Sequence, residues 1–503
     1  MTRRVIIIGA GIGGLSLSIY LARHGFEVEI VEKQDRPGGR CSALEQGGHR
    51  FDAGATLLLM PRLVRSIYAD WGQSLENHLD LLPLDPIYDL HFERGARLRF
   101  TPQLPGLMAQ MERIEEGSFE RFLRCFDLGW RQYQRLMSRF LGRNFDRPWS
   151  YFNPANGYYF LALKAYRNHH RHVCRYFKSP QLQAAFTFQN IYVGQSPFAT
   201  SAAYALLPAV ELAQGGWYPR GGMSAVAGSL EAMAREAGVR FHYGAAVRRI
   251  VIRSTEARAV SLDDGTEMEA DIIAANADLP YVYRCLLPDS GRPRRLDRMG
   301  YTCSALVFYW GLARRQPDLG HHSIFVGEDY RAGFDGIFGG KGMCASPHFY
   351  VNRPASTDPS AAPPGKDSLT VIVPVHNLQG RGDEGWQGLT GRARDAVFAR
   401  LAASGLGGLA GDVESETVHT PRDWAAALNL THGAVFGSLD HRVTQVGYLR
   451  PSSRHAAFKN LYFVGGSTHP GSGVPLALLS GRLTAERILR AAGRKPAFGE
   501  LQF

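Results

Sequence analysis

No two of the six cysteines, Cys41, Cys125, Cys174, Cys285, Cys303 and Cys344, stand at C-x-x-C or C-x-x-H spacing, which argues against zinc clusters and a disulfide framework. A reduced, cytoplasmic setting without a metal site is the expectation. No run of about 20 apolar residues occurs, so no transmembrane helix is expected. No internal repeat recurs, and no nucleic-acid motif accompanies the excess of basic residues. With 57 Lys and Arg against 46 Asp and Glu, the net charge is +11. That balance favours an acidic surface, and an anionic membrane face fits it. What remains is a 503-residue chain with 45% hydrophobic residues, enough for a large core and two interleaved domains.

The most informative stretch is the first forty residues. Arg3-Arg4 followed by apolar residues imitates a signal peptide, but the apolar run stops at a glycine loop after Ile8 and charges at Arg23 and Glu27 follow, so a mature N-terminus is expected. Val5-Ile6-Ile7-Ile8 reads instead as a buried parallel strand. It leads into Gly9-Ala10-Gly11-Ile12-Gly13-Gly14 and an apolar-periodic helix over residues 15–24. In this context the glycines form a dinucleotide fingerprint. Gly9 permits the tight turn, Gly11 lets backbone approach a pyrophosphate, Gly14 allows close packing, and the helix N-terminus faces phosphate charge. A second strand over residues 27–31 ends at Glu32, about 20 residues past the loop, where an acid can bind a ribose hydroxyl and disfavours the 2′-phosphate of NADP.

Lys33-Gln34-Asp35-Arg36-Pro37-Gly38-Gly39-Arg40 adds a glycine turn and an arginine that an NAD-only domain does not need. With it the chain resembles the superfamily of FAD-binding amine oxidases and carotenoid desaturases, in which Gly-Gly-Arg follows the ribose acid. His49-Arg50-Phe51-Asp52-Ala53-Gly54-Ala55-Thr56 is similar to that group's flavin-proximal F-D-x-G-P-T segment, with Ala55 in the proline's place.

Further along, Phe119, Phe122, Leu123, Phe126, Trp130, Tyr133, Met137 and Phe140 recur at helical spacing, as a core stripe or as a face toward lipid or substrate. Residues 149–177 interleave aromatic rings with Lys164, Arg167, Arg171 and Arg175, a mixture suited to a bilayer headgroup region. His169, His170 and His172 in that stretch have no flanking acid and the wrong directions for a metal. A glycine loop over residues 215–223 precedes a helix over residues 225–237. Residues 241–250 then alternate like one strand, residues 259–270 read as a hairpin, and residues 271–278 as a parallel strand with a polar end. The resemblance puts the adenosine half of FAD among these elements, with the backbone of Val247 at adenine. Residues 353–367, rich in Pro, Ser and Ala, read as a solvated loop.

Near the C-terminus a buried strand runs into Gly465-Gly466-Ser467-Thr468-His469-Pro470-Gly471-Ser472-Gly473-Val474-Pro475 and then a helix over residues 476–489. The amides opening that helix can face the flavin's pyrimidine oxygens. G-x-x-T-H-P-G-x-G-x-P in this place resembles bacterial and fungal phytoene desaturases. Tyr192-Val193-Gly194-Gln195-Ser196-Pro197, Asn276-Ala277-Asp278-Leu279-Pro280 and His321-His322-Ser323-Ile324-Phe325 agree with that, and the likeness covers essentially the whole chain. Leu57-Leu58-Leu59-Met60 and Leu84-Asp85-Pro86-Ile87-Tyr88 look more like the members acting on squalene-derived substrates.

The resemblance implies an α/β fold: a Rossmann-like FAD-binding domain of the amine oxidase type, from residues 1–60, 215–285 and 440–495, with an interleaved α+β domain for substrate and membrane from residues 61–214 and 286–439. It implies a carotenoid desaturase that removes a hydride and a proton from a long acyclic isoprenoid, peripherally bound to a membrane and reoxidised by oxygen or a quinone rather than by a nicotinamide. The expected FAD ligands are Gly9, Gly11, Gly13, Gly14, Glu32, Lys33, Gly39, Arg40, Gly54, Ala55, Thr56, Val247, Gly465, Gly466, Gly473, Val474 and Pro475. Glu211, an acid within the apolar run Leu206-Leu207-Pro208-Ala209-Val210-Glu211-Leu212, is the candidate base, or else a carboxylate paired with an arginine. Polyene oxidases, isomerases and saturases share the frame. Prenyl-chain-binding proteins without catalysis share the fold, but the intact glycine elements argue for flavin. A covalent flavin thioether from a C-terminal cysteine is impossible with no cysteine beyond Cys344.

Overall fold

The computed structural model describes residues 3–288, 296–339, 343–379 and 385–503. A strand buried on both faces needs apolar residues in succession rather than in alternation, and Arg4–Ile8 meets that need. It occupies the centre of a five-stranded parallel sheet ordered Leu461–Phe463, Ile272–Ala275, Arg4–Ile8, Glu27–Val31 and Arg240–His242. Successive side chains point to opposite faces. Val5 and Ile7 pack in one cluster with residues of the helices Ile12–Arg23, Ser224–Glu236 and Val474–Ala491. Ile6 and Ile8 pack against Ile250 and Val260, which belong to a three-stranded antiparallel layer of Val247–Arg253, Glu256–Leu262 and Glu267–Glu269. The result is an α/β sandwich with the parallel sheet in its middle.

The single strand expected over residues 241–250 is two strands in different sheets. Gly244, at φ 65°, turns the chain between them. Its N–H donates to the carbonyl of Gln34, and Ala245 N–H to that of Glu32, so the break lies against the end of the neighbouring strand.

The second sheet has seven strands, ordered Val413–His419, Ser304–Leu312, Asp367–Val375, Phe349–Asn352, His322–Val326, Tyr88–Phe92 and Arg97–Phe100. The pairs are antiparallel except His322–Val326 with Tyr88–Phe92. One face, with Phe308, Trp310, Leu369 and Val371, packs on Trp386, Ala393 and Val397 of the helix Trp386–Leu401. The opposite face, with Val307, Ile324 and Ile372, lines a cavity.

The aromatic stripe lies on the helix Ser118–Leu136 and the π-turn Met137–Leu141 that continues it. Phe122, Tyr133, Met137 and Phe140 are buried, which supports the core reading, and only Leu123 of the stripe is exposed. At Gly129 an added Cβ would stand 2.5 Å from the Ala205 carbonyl oxygen, so only glycine allows this close approach to the chain that enters the helix Leu206–Gln214.

Residues 353–367 are solvated only in part: Ser356, Pro359, Ser360, Pro364 and Gly365 are exposed, but Pro354, Asp358, Ala361 and Asp367 are buried. Asp358 is buried, accepts from Gly221 N–H at 2.8 Å and pairs with Arg50 at 2.8 Å, while Arg353 pairs with Asp367 at 3.1 Å. Asp358, with Ser360 beside it, ties the stretch to Arg50 and Gly221, while Arg353 and Asp367 close it on itself. Among the described residues no helix is long and apolar enough to cross a membrane.

Candidate functional site

Ligands of open α/β sheets bind beyond the carboxyl ends of the strands, where the connections diverge. Here those ends belong to Arg4–Ile8 and its neighbour Ile272–Ala275. Gly9 follows the first at φ 98°, a conformation that suits glycine, and Asn276 follows the second. Asn276 Nδ2 donates to the carbonyl of Gly9 at 3.2 Å. Around it the glycines close ranks: a Cβ at Gly11 would lie 2.8 Å from Asn276 Nδ2, one at Gly13 would lie 2.9 Å from Gly465 Cα, and one at Gly14 would lie 2.4 Å from the Gly9 carbonyl oxygen. Asn276 was not among the expected ligands. Its signal was a polar residue ending an apolar strand.

Glu32 grips the loop directly. Its Oε2 accepts from Ala10 N–H at 2.7 Å and its Oε1 from Gln34 N–H at 2.9 Å, while the carboxylate still borders the cavity. Each oxygen keeps a further acceptor position for a hydroxyl. Lys33 Nζ donates to the carbonyl of Ala426 at 3.2 Å, and burial lowers its pKa. Arg40 reaches the opposite wall, where Nη1 donates to the Val435 carbonyl at 3.2 Å. Burial lowers the pKa of this guanidinium and raises that of the nearby Asp278 carboxyl. Ala55 N–H returns to the carbonyl of Arg40 at 3.2 Å, and a Cβ on Gly54 would stand 2.4 Å from that same oxygen. The glycine turn at residues 38–40 and the segment at residues 52–56 are therefore one unit. Asp52 in it is buried, accepts from Tyr218 Oη at 2.9 Å and Met223 N–H at 2.7 Å, and is pushed up to about 6 by burial.

All these elements border a single cavity of about 800 Å³. Every expected ligand lines it except Gly14, which lies inside the turn. Val247 borders it from the antiparallel layer, and Gly473, Val474 and Pro475 present the start of the 18-residue helix Val474–Ala491. Two helix N-termini, a glycine-walled floor and a carboxylate at the far strand end fit a dinucleotide.

The cavity continues past Thr56 into a compartment of another character. Phe188, Ile191 and Tyr192 line it on one side, and alternate residues of the seven-stranded sheet on another: Ala305, Val307 and Tyr309; His322, Ile324 and Val326; Thr370 and Ile372. Among the described residues of those segments that line it, none is Lys, Arg, Asp or Glu.

Glu211 does not border the cavity among the described residues. It is fully buried one layer behind Tyr192, where Tyr88 Oη donates to its Oε2 at 2.8 Å and Gln189 Nε2 lies 3.4 Å from the same oxygen. Its hydrogen-bond partners are Tyr88, Gln189 and Tyr192, not the arginine considered as an alternative. Burial pushes its pKa up to about 8, so at pH 7 it is mostly a neutral acid. His169 and His172 are also buried, with His169 Nδ1 2.6 Å from Asn190 Oδ1. Among the described residues no cluster of three potential metal ligands exists.

A family model described as flavin containing amine oxidoreductase matches residues 12–489. A zeta-carotene-forming phytoene desaturase from Myxococcus xanthus is 42% identical, over 97% of this chain and 94% of its own. A 4,4'-diapophytoene desaturase from Staphylococcus haemolyticus is 32% identical, over 96% of this chain and 98% of its own. Among solved structures, wild-type putrescine oxidase bound to putrescine superposes with a TM-score of 0.65 at 16% identity, covering 97% of this chain and 99% of that one. That last likeness is one of fold.

Proposed function

The chain belongs to the flavin containing amine oxidoreductase family and uses FAD, and from that premise we propose that it is a carotenoid desaturase acting on a long acyclic isoprenoid, of the phytoene or dehydrosqualene type. The observation that carries this reading is the uncharged compartment joined to the dinucleotide end of one cavity. A cationic amine entering it would lose its hydration without gaining a carboxylate partner. A hydrocarbon loses nothing, and each Å² of it taken from water contributes about 25 cal/mol. The two desaturases at 42% and 32% identity act, by their names, on such hydrocarbons.

When bound, FAD supplies a two-electron acceptor for a hydride. The chain's own residues do the rest. Gly11 and Gly13 leave room for the dinucleotide, Glu32 and Arg40 orient its two ends, and the sheet face holds the polyene in register while excluding water. The assignment of the expected FAD ligands is part of this proposal. Glu211 can serve as a base only through Tyr192 and chiefly above pH about 8.

The proposal extends to the two interleaved domains. The parallel sheet draws its strands from residues 4–31, 240–275 and 461–463, and the seven-stranded sheet from residues 88–100 and 304–419, which supports the partition expected from the sequence. It extends also to an anionic membrane surface as the source of substrate, on the cytoplasmic side, with oxygen or a quinone as final acceptor. Trp149, Phe152, Tyr158, Leu161 and Tyr166 are 52–66% exposed on one segment, with Arg171 and Arg175 exposed nearby. Arg139 and Arg147 stack on Tyr159 and Trp149, an arrangement that suits a headgroup layer.

The test is turnover of liposome-embedded phytoene and dehydrosqualene by purified holoenzyme, followed by polyene absorption and product analysis, without NADH or NADPH. New conjugated double bonds support desaturation. Oxygenated, isomerised or saturated products would assign one of the related activities, and turnover of amines alone would overturn the reading.

A further inference from the structure

Beyond the cofactor end, three polar side chains of the compartment form one hydrogen-bonded chain. Tyr350, on Phe349–Asn352, and His322, on the neighbouring antiparallel strand His322–Val326, border the cavity side by side, with His322 the more deeply buried of the two. The Tyr350 hydroxyl is 2.8 Å from Thr56 Oγ1 and 2.5 Å from His322 Nδ1. Thr56 belongs to the segment at residues 52–56, which Ala55 N–H ties to the carbonyl of Arg40 at the dinucleotide end.

Asn352 sets the direction of this chain. Its Nδ2 donates to the carbonyl of His321 at 3.2 Å, which orients the amide, and the same nitrogen lies 3.4 Å from His322 Nδ1. An amide N–H aimed at a ring nitrogen favours the tautomer in which that nitrogen carries no hydrogen. In that tautomer Nδ1 is the acceptor, Tyr350 donates to it, and Thr56 donates to Tyr350. The imidazole hydrogen is then on Nε2, which is buried without a hydrogen-bond partner. The wall of a hydrocarbon pocket thus ends in a phenol backed by a proton acceptor.

We propose that Tyr350 and His322 receive the proton released by desaturation, Tyr350 taking it from the substrate carbon while passing its own hydroxyl hydrogen to His322 Nδ1. The inference rests on the desaturase reading and deepens it. As a hydride leaves one carbon with two electrons for the flavin oxidant, the C–H bond on the adjacent carbon breaks and its electron pair completes the new C=C bond. The departing proton forms the new O–H on Tyr350 and the former hydroxyl hydrogen forms N–H on His322; once the product has left, the imidazolium returns that hydrogen to Tyr350, whose hydroxyl proton passes to water entering the cavity. Tyr350 is the group that meets the reacting carbon, and His322 is a positioning residue acting through it. Burial holds the imidazole well below its usual range and raises the phenol. Neither works against the role, because an allylic cation is a far stronger acid than an imidazolium, and a weak base is empty at every working pH.

The test compares Tyr350→Phe and His322→Gln holoenzymes with the parent on liposome-embedded phytoene and dehydrosqualene. The expected result is flavin content equal to the parent, KM within twofold, and kcat lowered about 100-fold or more in Y350F and about tenfold in H322Q. A second readout is independent of turnover: in 15N-histidine-labelled holoenzyme, the signal absent from H322Q should show a hydrogen-bonded Nδ1 without hydrogen, and Y350F should shift it. A parent that works and a flavin-loaded Y350F that works equally well overturn the proposal, as does a His322 protonated on Nδ1. If Y350F loses its flavin, H322Q and the histidine signal decide. A fall in Glu211→Gln beside an unaffected Y350F would assign the proton to the Glu211 side instead. A parent that desaturates neither polyene overturns the functional reading, a result separate from all of these.

Discussion

Asn276 Nδ2 donates to the carbonyl oxygen of Gly9 at 3.2 Å, joining the ends of two neighbouring parallel strands whose residues are 267 positions apart. The same side chain touches the space over Gly11, Gly13 and Gly465, so it sets the width of the glycine floor. Asn276→Asp replaces this donor by a carboxylate facing a carbonyl and the proposed phosphate site. FAD affinity is expected to fall by at least tenfold, while Asn276→Ala, which loses one hydrogen bond worth about 1 kcal/mol, falls about fivefold. Flavin titration of the purified variants followed by fluorescence checks the order.

Gly11→Val should abolish FAD binding outright, because its first carbon would already stand 2.8 Å from Asn276 Nδ2 and its methyl groups would fill the approach to the helix N-terminus. Visible flavin absorbance in the purified variant would remove the basis of the site. Glu32→Ala frees the Ala10 and Gln34 amides and removes the proposed ribose partner, and should weaken FAD by roughly 1.5–3 kcal/mol, about 10- to 150-fold.

Glu211 makes stability depend on pH in a defined direction. Its folded pKa of about 8 lies above the unfolded value of 4.5. Between these two the folded state holds a proton that the unfolded state has lost, so stability falls as pH rises through that window, by about 1.4 kcal/mol per pH unit, and levels off above it. Glu211→Gln lacks this term. The thermal midpoint of the parent should therefore drop more between pH 5 and pH 8 than that of E211Q, with the Asp52 contribution common to both. Parallel midpoints would mean that Glu211 ionises normally.

Neutralising Lys164, Arg167, Arg171 and Arg175 together should cut affinity for anionic liposomes about a thousandfold, at about 1 kcal/mol for each cation near the surface. None of the four lines the cavity, so flavin content should stay at the parent level while activity on liposome-embedded substrate falls with binding. Unchanged sedimentation with liposomes would move the docking surface elsewhere, first to the exposed Leu123 side of the helix Ser118–Leu136.

The dinucleotide end of the cavity was legible in the sequence because its parts are local. A strand, a glycine turn, a helix start and an acid at the next strand end lie within 32 residues, and each leaves its own pattern of apolar runs and glycine spacing. Where pattern is ambiguous between contexts, local reading failed. Residues 241–250 alternate well enough for one strand, yet the chain divides at Gly244 because two different sheets compete for its hydrogen bonds. Asp358 lies in a stretch composed like a loop, and nothing nearby announces that Arg50, 308 residues away, will bury it.

The sequence by itself determined the α/β class, the flavin-binding frame and the hydrocarbon-handling relatives, since hydrophobic periodicity and backbone conformation act over a few residues. Only the tertiary structure decided which face of the seven-stranded sheet lines the cavity, that Glu211 stands behind Tyr192 instead of at the surface, and that Thr56, Tyr350 and His322 form one hydrogen-bonded chain. Alternation places His322 and Ile324 on the same face without saying which face is covered by a helix. That choice is made by packing between segments hundreds of residues apart, whose burial energies are additive over area and leave no trace in any short window of sequence.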